Sequence, residues 1–223
     1  MAYVLPRNGP VDAVRFKSSL EMITTTYNEE YFDRYRRLKP DTLPCFSLIM
    51  KYLDLNSNDT LLDIGCGVGD WAGEFSKLDA STVGMDAYRE PLMRARGAHP
   101  DVDFVRADAS ALPFRDGAFS KVSCLSVIEH VDMPDLLLQE IARVMRQNST
   151  TVLITPDSRS AIHRFAVVHD PTHKRLYNTQ EFAALMSRVF GLETLEKTSL
   201  TNKLGPLSRL IKSEIIVRAR RKP

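Results

Sequence analysis

The stretch Leu61-Leu62-Asp63-Ile64-Gly65-Cys66-Gly67-Val68-Gly69-Asp70 decides how the chain folds. An apolar run closes on an acid, three glycines alternate, and the amphipathic segment 71–78 follows. That order describes a buried strand, a tight turn and a helix start. Glycines allow the backbone to turn sharply and to approach a ligand closely. The free amides at a helix start suit an anionic group. The stretch therefore reads as a cradle for a nucleotide-type cofactor.

The spacing narrows the cofactor. A dinucleotide fingerprint needs G-x-G-x-x-G, and Asp70 stands where its last glycine would be. The chain has G-x-G-x-G, with Asp63 two residues upstream. A second strand-like run, 81–85, ends at Asp86, nineteen positions after Gly67. An acid at the end of the next parallel strand can accept both hydroxyls of a ribose. A third run, 102–109, reaches Asp108 and Ala109, an acid suited to an exocyclic amine.

With these residues in this order, the chain resembles the class I S-adenosylmethionine-dependent methyltransferases. The nearest pattern is the subgroup related to ubiquinone and menaquinone biosynthesis. "DASALPFRDGAFSKVSCLSVIEHV" (108–131) is similar to that subgroup's stretch from the adenine-binding acid past the fourth strand, and "PDLLLQEIARVMRQ" (134–147) to its next helix. The likeness is specific over 60–156 and holds elsewhere in outline. It implies a doubly wound α/β fold, a seven-stranded, mostly parallel Rossmann-like sheet with an N-terminal helical lid. It further implies that Asp63, Gly65, Gly67 and Gly69 hold the methionine end and that Asp86, with Ala87, takes the ribose. Asp108 and Ala109 would read the adenine, and Ser126 would lie beside the sulfonium.

Composition agrees with one globular domain of 223 residues, 43% hydrophobic and 26% charged. We divide it into an arm and lid helices (1–55), a cofactor core (56–156) and an acceptor-side segment with the last strands (157–223). A formal charge of +2 gives no global argument for nucleic acid or membrane. Three cysteines, Cys45, Cys66 and Cys124, lack metal spacing and fit a reduced cytoplasm. No signal peptide or membrane-length apolar run is visible.

Along the chain, helices are expected over 28–38, 42–53, 90–98, from Pro134 to about Arg146, and from Thr179. Strands are expected over 122–128, 151–155, 192–196 and 214–220, the last two as an antiparallel end. Strand and helix alternate, which argues a sheet covered on both faces. After the helix the family has a Pro-Gly-Gly-like turn; here Gln147-Asn148-Ser149 stands, and Asn tolerates left-handed backbone. Tyr27, Tyr31 and Tyr35 recur every fourth residue on one helix face. They either pack the lid onto the domain or, through Tyr31, touch cofactor.

Methyl transfer is an in-line displacement, so most of the rate can come from alignment and exclusion of water. Three places could add chemistry. Ser126-Val127-Ile128-Glu129-His130 follows the fourth strand. Ubiquinone-type relatives can read E-x-x-E-H here, with a metal in some members; Ser126 removes one hard oxygen ligand, so no metal is expected. Glu129 and His130 then line the pocket. His169-Asp170-Pro171-Thr172-His173-Lys174-Arg175-Leu176-Tyr177 comes second, similar to family segments that cover the acceptor pocket. His169 and His173 are the base candidates, since a neutral imidazole takes a proton near pH 7. Arg175, Tyr177 and His130 are candidate acceptor contacts. The plainer alternative is a turn whose histidines bond to backbone. Third, the basic residues Arg209, Lys212, Arg218, Arg220, Arg221 and Lys222 either touch phosphates or form a solvated tail after an edge strand.

Neither the [ND]-P-P-[YFW] signature of amino-methylating nucleic-acid enzymes nor a Cys-Pro nucleophile is present. The expected activity is methylation of a small-molecule acceptor, through oxygen or nitrogen, by a cytoplasmic enzyme without a membrane or nucleic-acid partner. Methylation of RNA or protein, and a non-catalytic subunit supporting a partner, are the alternatives.

Overall fold

The computed structural model describes residues 39–160, 172–198 and 213–222. The expected helix 28–38, Tyr31 with its two neighbours, His163, His169, Arg209 and Lys212 lie outside the described residues.

Seven strands form one sheet in the order β3-β2-β1-β4-β5-β7-β6. They are β1 Thr60–Ile64, β2 Ser81–Asp86, β3 Asp103–Arg106, β4 Phe119–Leu125, β5 Met145–Pro156, β6 Phe190–Thr198 and β7 Glu214–Arg221. The first five run parallel, and β7 pairs antiparallel with both β5 and β6. The helices are α1 Phe46–Leu53, α2 Asp70–Ser76, α3 Arg89–Ala98, α4 Pro134–Val144 and α5 Thr179–Ser187. This is the expected mostly parallel, doubly wound sheet.

Strand residues alternate faces, and the core shows it. Leu61 of β1, Val152 and Ile154 of β5, and Ile216 of β7 share one apolar cluster with Ile49 and Leu53 of α1 and Phe75 of α2. Leu62, Ile64, Leu153, Ile215 and Val217 point the other way, to Leu137, Leu138 and Ile141 of α4 and Phe182 of α5. Each such aliphatic side chain stabilises by about 1.5–3 kcal/mol on burial. Local signals set the helix starts: Pro134 opens α4, and Asn178 with Glu181 forms a capping box on α5.

Strand order reverses between β1 and β4, the carboxyl-end crevice where open α/β sheets bind ligands. The site is therefore positioned by these two strands and the loops leaving them.

Several boundaries differ from the sequence reading. β3 stops at Arg106, which puts Asp108 on the following turn. β4 begins at Phe119 and stops at Leu125, so Ile128 leaves the sheet for a 3-10 turn, Ile128–His130. Met145 suits the apolar face of α4 but opens β5 instead. The left-handed Asn148 (φ 60°) sits where the β4–β5 register shifts. The helix over 42–53 is a 3-10 turn, Pro40–Thr42, followed by α1.

The basic end is also corrected. β7 is interior, between β5 and β6, not an edge. Arg218 and Arg220 both pair with Glu193, Arg221 donates to the Met145 carbonyl, and Lys222 donates to the Ser187 carbonyl at 2.7 Å.

Candidate functional site

The loop leaving β1 crosses the end of β2: the Gly65 and Cys66 amides donate to the Met85 carbonyl at 2.7 and 3.0 Å. Gly65 has φ +70°, and a Cβ there would lie 2.2 Å from Val127 Cγ2, so only glycine fits beneath the β4 loop. Gly67 has φ +54°, and among the described residues a Cβ there would meet nothing within 4 Å. Among these residues Gly67 thus marks the open side of the cradle.

Asp86 ends β2 and is buried. Its Oδ2 accepts from the Gly67 amide and its Oδ1 from the Tyr88 amide, both at 2.9 Å. These bonds hold the carboxylate at the cradle and favour its charged form, while burial pushes its pKa up. Ala87 follows, with its carbonyl accepting from Arg106 Nε at 3.0 Å. Asp108 Oδ1 accepts from the Ser110 amide and hydroxyl, each at 2.8 Å, an Asx turn that orients the acid; Ala109 is buried beside it. Tyr88 joins the two acids: burial pushes its hydroxyl up to about 12, with the charges of Asp86 and Asp108 adding to the effect.

Asp63 lies deeper. It is register partner to Ser123 across the β1–β4 switch, and Ser123 Oγ donates to its Oδ1 at 2.7 Å. Its other oxygen, Oδ2, is buried without a hydrogen-bond partner among the described residues. Burial raises the carboxyl to about 7; the Ser123 bond works against that rise, and the charge of Asp86 adds to it. Cys66 and Cys124 are buried thiols whose pKa values burial pushes well up, so neither is a nucleophile.

Beyond the end of β4, Ser126 has a left-handed φ of +56°, uncommon for a residue with a side chain. The turn Ile128–His130 follows, strapped by a distant segment. The Lys174 and Arg175 amides donate to the Glu129 carbonyl at 2.8 and 3.1 Å. His130 Nδ1 lies 2.8 Å from Thr172 Oγ1 and 3.2 Å from the Thr172 carbonyl. The His130 and His173 rings meet edge to face, centroids 4.8 Å apart. Glu129 is fully buried, and its Oε2 accepts from Thr155 at 3.2 Å. One donor atom from each of Glu129, His130 and His173 lies within 4.8 Å of the others, the described group with spacing for a metal ion. Arg175 is exposed. Tyr177, expected at the acceptor, instead packs in the core against Phe182 at 5.7 Å and bridges to Asp157.

Residues 62–153 match the family model described as a methyltransferase domain. Over that span the chain is similar to the methyltransferase domain. Over 172 residues the chain is 29% identical to a ubiquinone biosynthesis O-methyltransferase from Thiobacillus denitrificans, covering 69% of this chain and 72% of that one. It is 28% identical to the methyltransferase GfsG of Streptomyces halstedii, over 69% of this chain and 60% of the relative's length. The fold matches that of an S-adenosylmethionine-dependent methyltransferase from Mesorhizobium loti, with a TM-score of 0.70, 20% identity, and coverage of 82% of this chain and all of that one.

S-adenosylmethionine is the cofactor that this likeness implies. The residues fit it. An unpartnered buried carboxylate oxygen on Asp63 suits an ammonium, the open side of Gly67 admits a ligand, and two anchored acids flank Tyr88. Sequence reasoning missed Tyr88, Ser123 and Val127. Tyr88 carried one local signal, its place two residues after Asp86; the other two depend on strand register and loop packing.

Proposed function

We propose that this domain transfers a methyl group from S-adenosylmethionine to a small-molecule acceptor, through oxygen or nitrogen, in the cytoplasm. The reading is carried by one juxtaposition: a cradle of three acids at the switch point, with a histidine pair strapped beside it by 172–175. The bound cofactor supplies a methyl group on a positively charged sulfur. Asp86 and Ala87 hold the ribose, Asp108 and Ala109 the adenine, and Asp63 with the glycine loop the methionine end. Ser126 lies beside the reacting centre. Val127, seated over Gly65, and the 172–175 strap exclude water, which strengthens every electrostatic contact inside.

A hydroxyl acceptor must lose a proton as its oxygen attacks. His173 takes that proton, while His130, its Nδ1 held by Thr172, contacts the acceptor. Arg175 offers a guanidinium to an anionic or hydroxylated acceptor. His169 is the second base candidate on the same segment, outside the described residues. The likeness to an O-methyltransferase of ubiquinone biosynthesis supports oxygen as an acceptor atom. No metal enters this scheme; Glu129, His130 and His173 handle the acceptor and its proton.

Methylation of RNA draws less support, because Arg218 and Arg220 are committed to Glu193. The deciding experiment incubates the protein with S-adenosylmethionine and a panel of phenols, alcohols and amines, reading S-adenosylhomocysteine and product mass. Turnover of a small acceptor supports the proposal. Methylation confined to RNA or protein would overturn the acceptor class, and activity found only with a second subunit would favour the supporting-subunit reading.

A further inference from the structure

Two buried side chains meet at the point where the sheet reverses. Ser123 of β4 is 0% exposed and Asp63 of β1 is 2% exposed. The Ser123 hydroxyl donates to Oδ1, so a proton carried by this carboxyl belongs on Oδ2, the oxygen without a partner among the described residues. The titratable groups facing Asp63 are Asp86 from β2, Cys66 from the glycine loop and Cys124 from β4. No ion pair to Asp63 forms among the described residues. Such a carboxyl, desolvated and given one hydrogen bond, is stable either protonated or completed by a cation.

Asp86, the neighbouring acid, is in a different position. It accepts two backbone amides, which favour its charged form. Where two carboxyls share a site, the better hydrogen-bonded one keeps the charge and the other keeps the proton.

We propose that Ser123 is a positioning residue that turns Asp63 Oδ2 toward the cofactor's ammonium, and that cofactor binding expels the proton Asp63 carries beforehand. The inference rests on the S-adenosylmethionine reading of the cradle. The ammonium takes the place of the proton on Oδ2, and the proton leaves to solvent; no bond to carbon or sulfur changes. A carboxyl raised to about 7 by burial carries its proton below neutrality and loses it progressively above.

The test is calorimetric titration of the full chain with S-adenosylmethionine in buffers of different ionisation heat, at pH 6, 7 and 8. The slope of heat against buffer heat counts protons. With a carboxyl near 7, and after adding back the proton that the neutral fraction of the ligand's amine takes up on binding as an ammonium, about 0.9 proton should leave per ligand at pH 6, about 0.5 at pH 7 and about 0.1 at pH 8. S-adenosylhomocysteine, which keeps the ammonium but lacks the sulfonium, should release the same number. Methylthioadenosine, which has no ammonium, should release none. Ser123→Ala removes a bond that favours the charged form, so its release should move to higher pH and its affinity at pH 7 should fall several-fold. Asp63→Asn should bind without proton release.

Wild-type binding that is independent of buffer at pH 6 and 7 overturns the proposal. Release that persists with methylthioadenosine assigns the proton to another group and also overturns it. No binding of any of the three ligands would instead remove the cofactor reading on which the inference stands.

Discussion

Asp86→Ala is the sharpest perturbation of the cradle. The wild-type carboxylate is anchored by the Gly67 and Tyr88 amides, one on each oxygen. Each oxygen keeps a further lone pair for a ribose hydroxyl. A hydrogen bond to a charged acceptor contributes about 1.5–3 kcal/mol. Losing two therefore removes about 3–6 kcal/mol of binding, or two to four orders of magnitude in Kd. The fold should survive. The variant also removes a desolvated charge, which offsets the loss of the two amide acceptors, and the β1–β2 ladder is a backbone feature. Calorimetry with S-adenosylmethionine measures the affinity, and circular dichroism checks the fold. Asp86→Asn, which keeps one oxygen but no charge, should fall between. A folded Asp86→Ala protein binding within threefold of wild type would refute the assignment of this acid to the ribose.

Gly65→Ala should destabilise the domain and impair binding together, because its Cβ would press on Val127 and its backbone is left-handed. The backbone cost alone is about 1–2 kcal/mol; an unchanged denaturation midpoint would contradict the packing described. Ligand-free stability should fall as pH rises from about 4 to about 7, because the native Asp63 carboxyl holds its proton above the unfolded-state value of 3.8. That stability is fully present below the unfolded value and is lost on passing through the native one, on the order of 4 kcal/mol at most. Asp63→Asn should flatten this segment of the melting-temperature profile, and an unaltered profile would count against the buried proton. His173→Asn should lower kcat for hydroxyl acceptors while leaving S-adenosylmethionine affinity within a few-fold, read by turnover and calorimetry. Chelators should leave activity unchanged; loss restored by a divalent ion would make Glu129, His130 and His173 a metal site instead.

The placement of the glycine loop and its acids at the strand ends was legible because its signals are local. Alternating glycines, an acid two residues before them and acids after the next two strands all lie in short windows of Asp63 to Asp108. What escaped depends on register. Ser123 faces Asp63 only because β4 pairs with β1 across the switch, sixty residues away in the chain. His130 meets His173 because main-chain bonds from 174–175 close on Glu129, a contact without periodicity. Tyr177 reads as a polar aromatic beside an arginine, yet the bridge to Asp157 turns it into the core. Met145 fits a helical face and a strand equally well; the left-handed Asn148 and the register shift decide for the strand. The arginines of β7 read as an exposed tail because nothing local tells an interior strand from an edge.

The most direct test of the central claim is titration of the purified chain with S-adenosylmethionine, with NAD as control. The cradle should bind S-adenosylmethionine at micromolar concentration and NAD not at all, since Asp70 replaces the third glycine of a dinucleotide loop. Binding of NAD instead, or of neither, would contradict that claim.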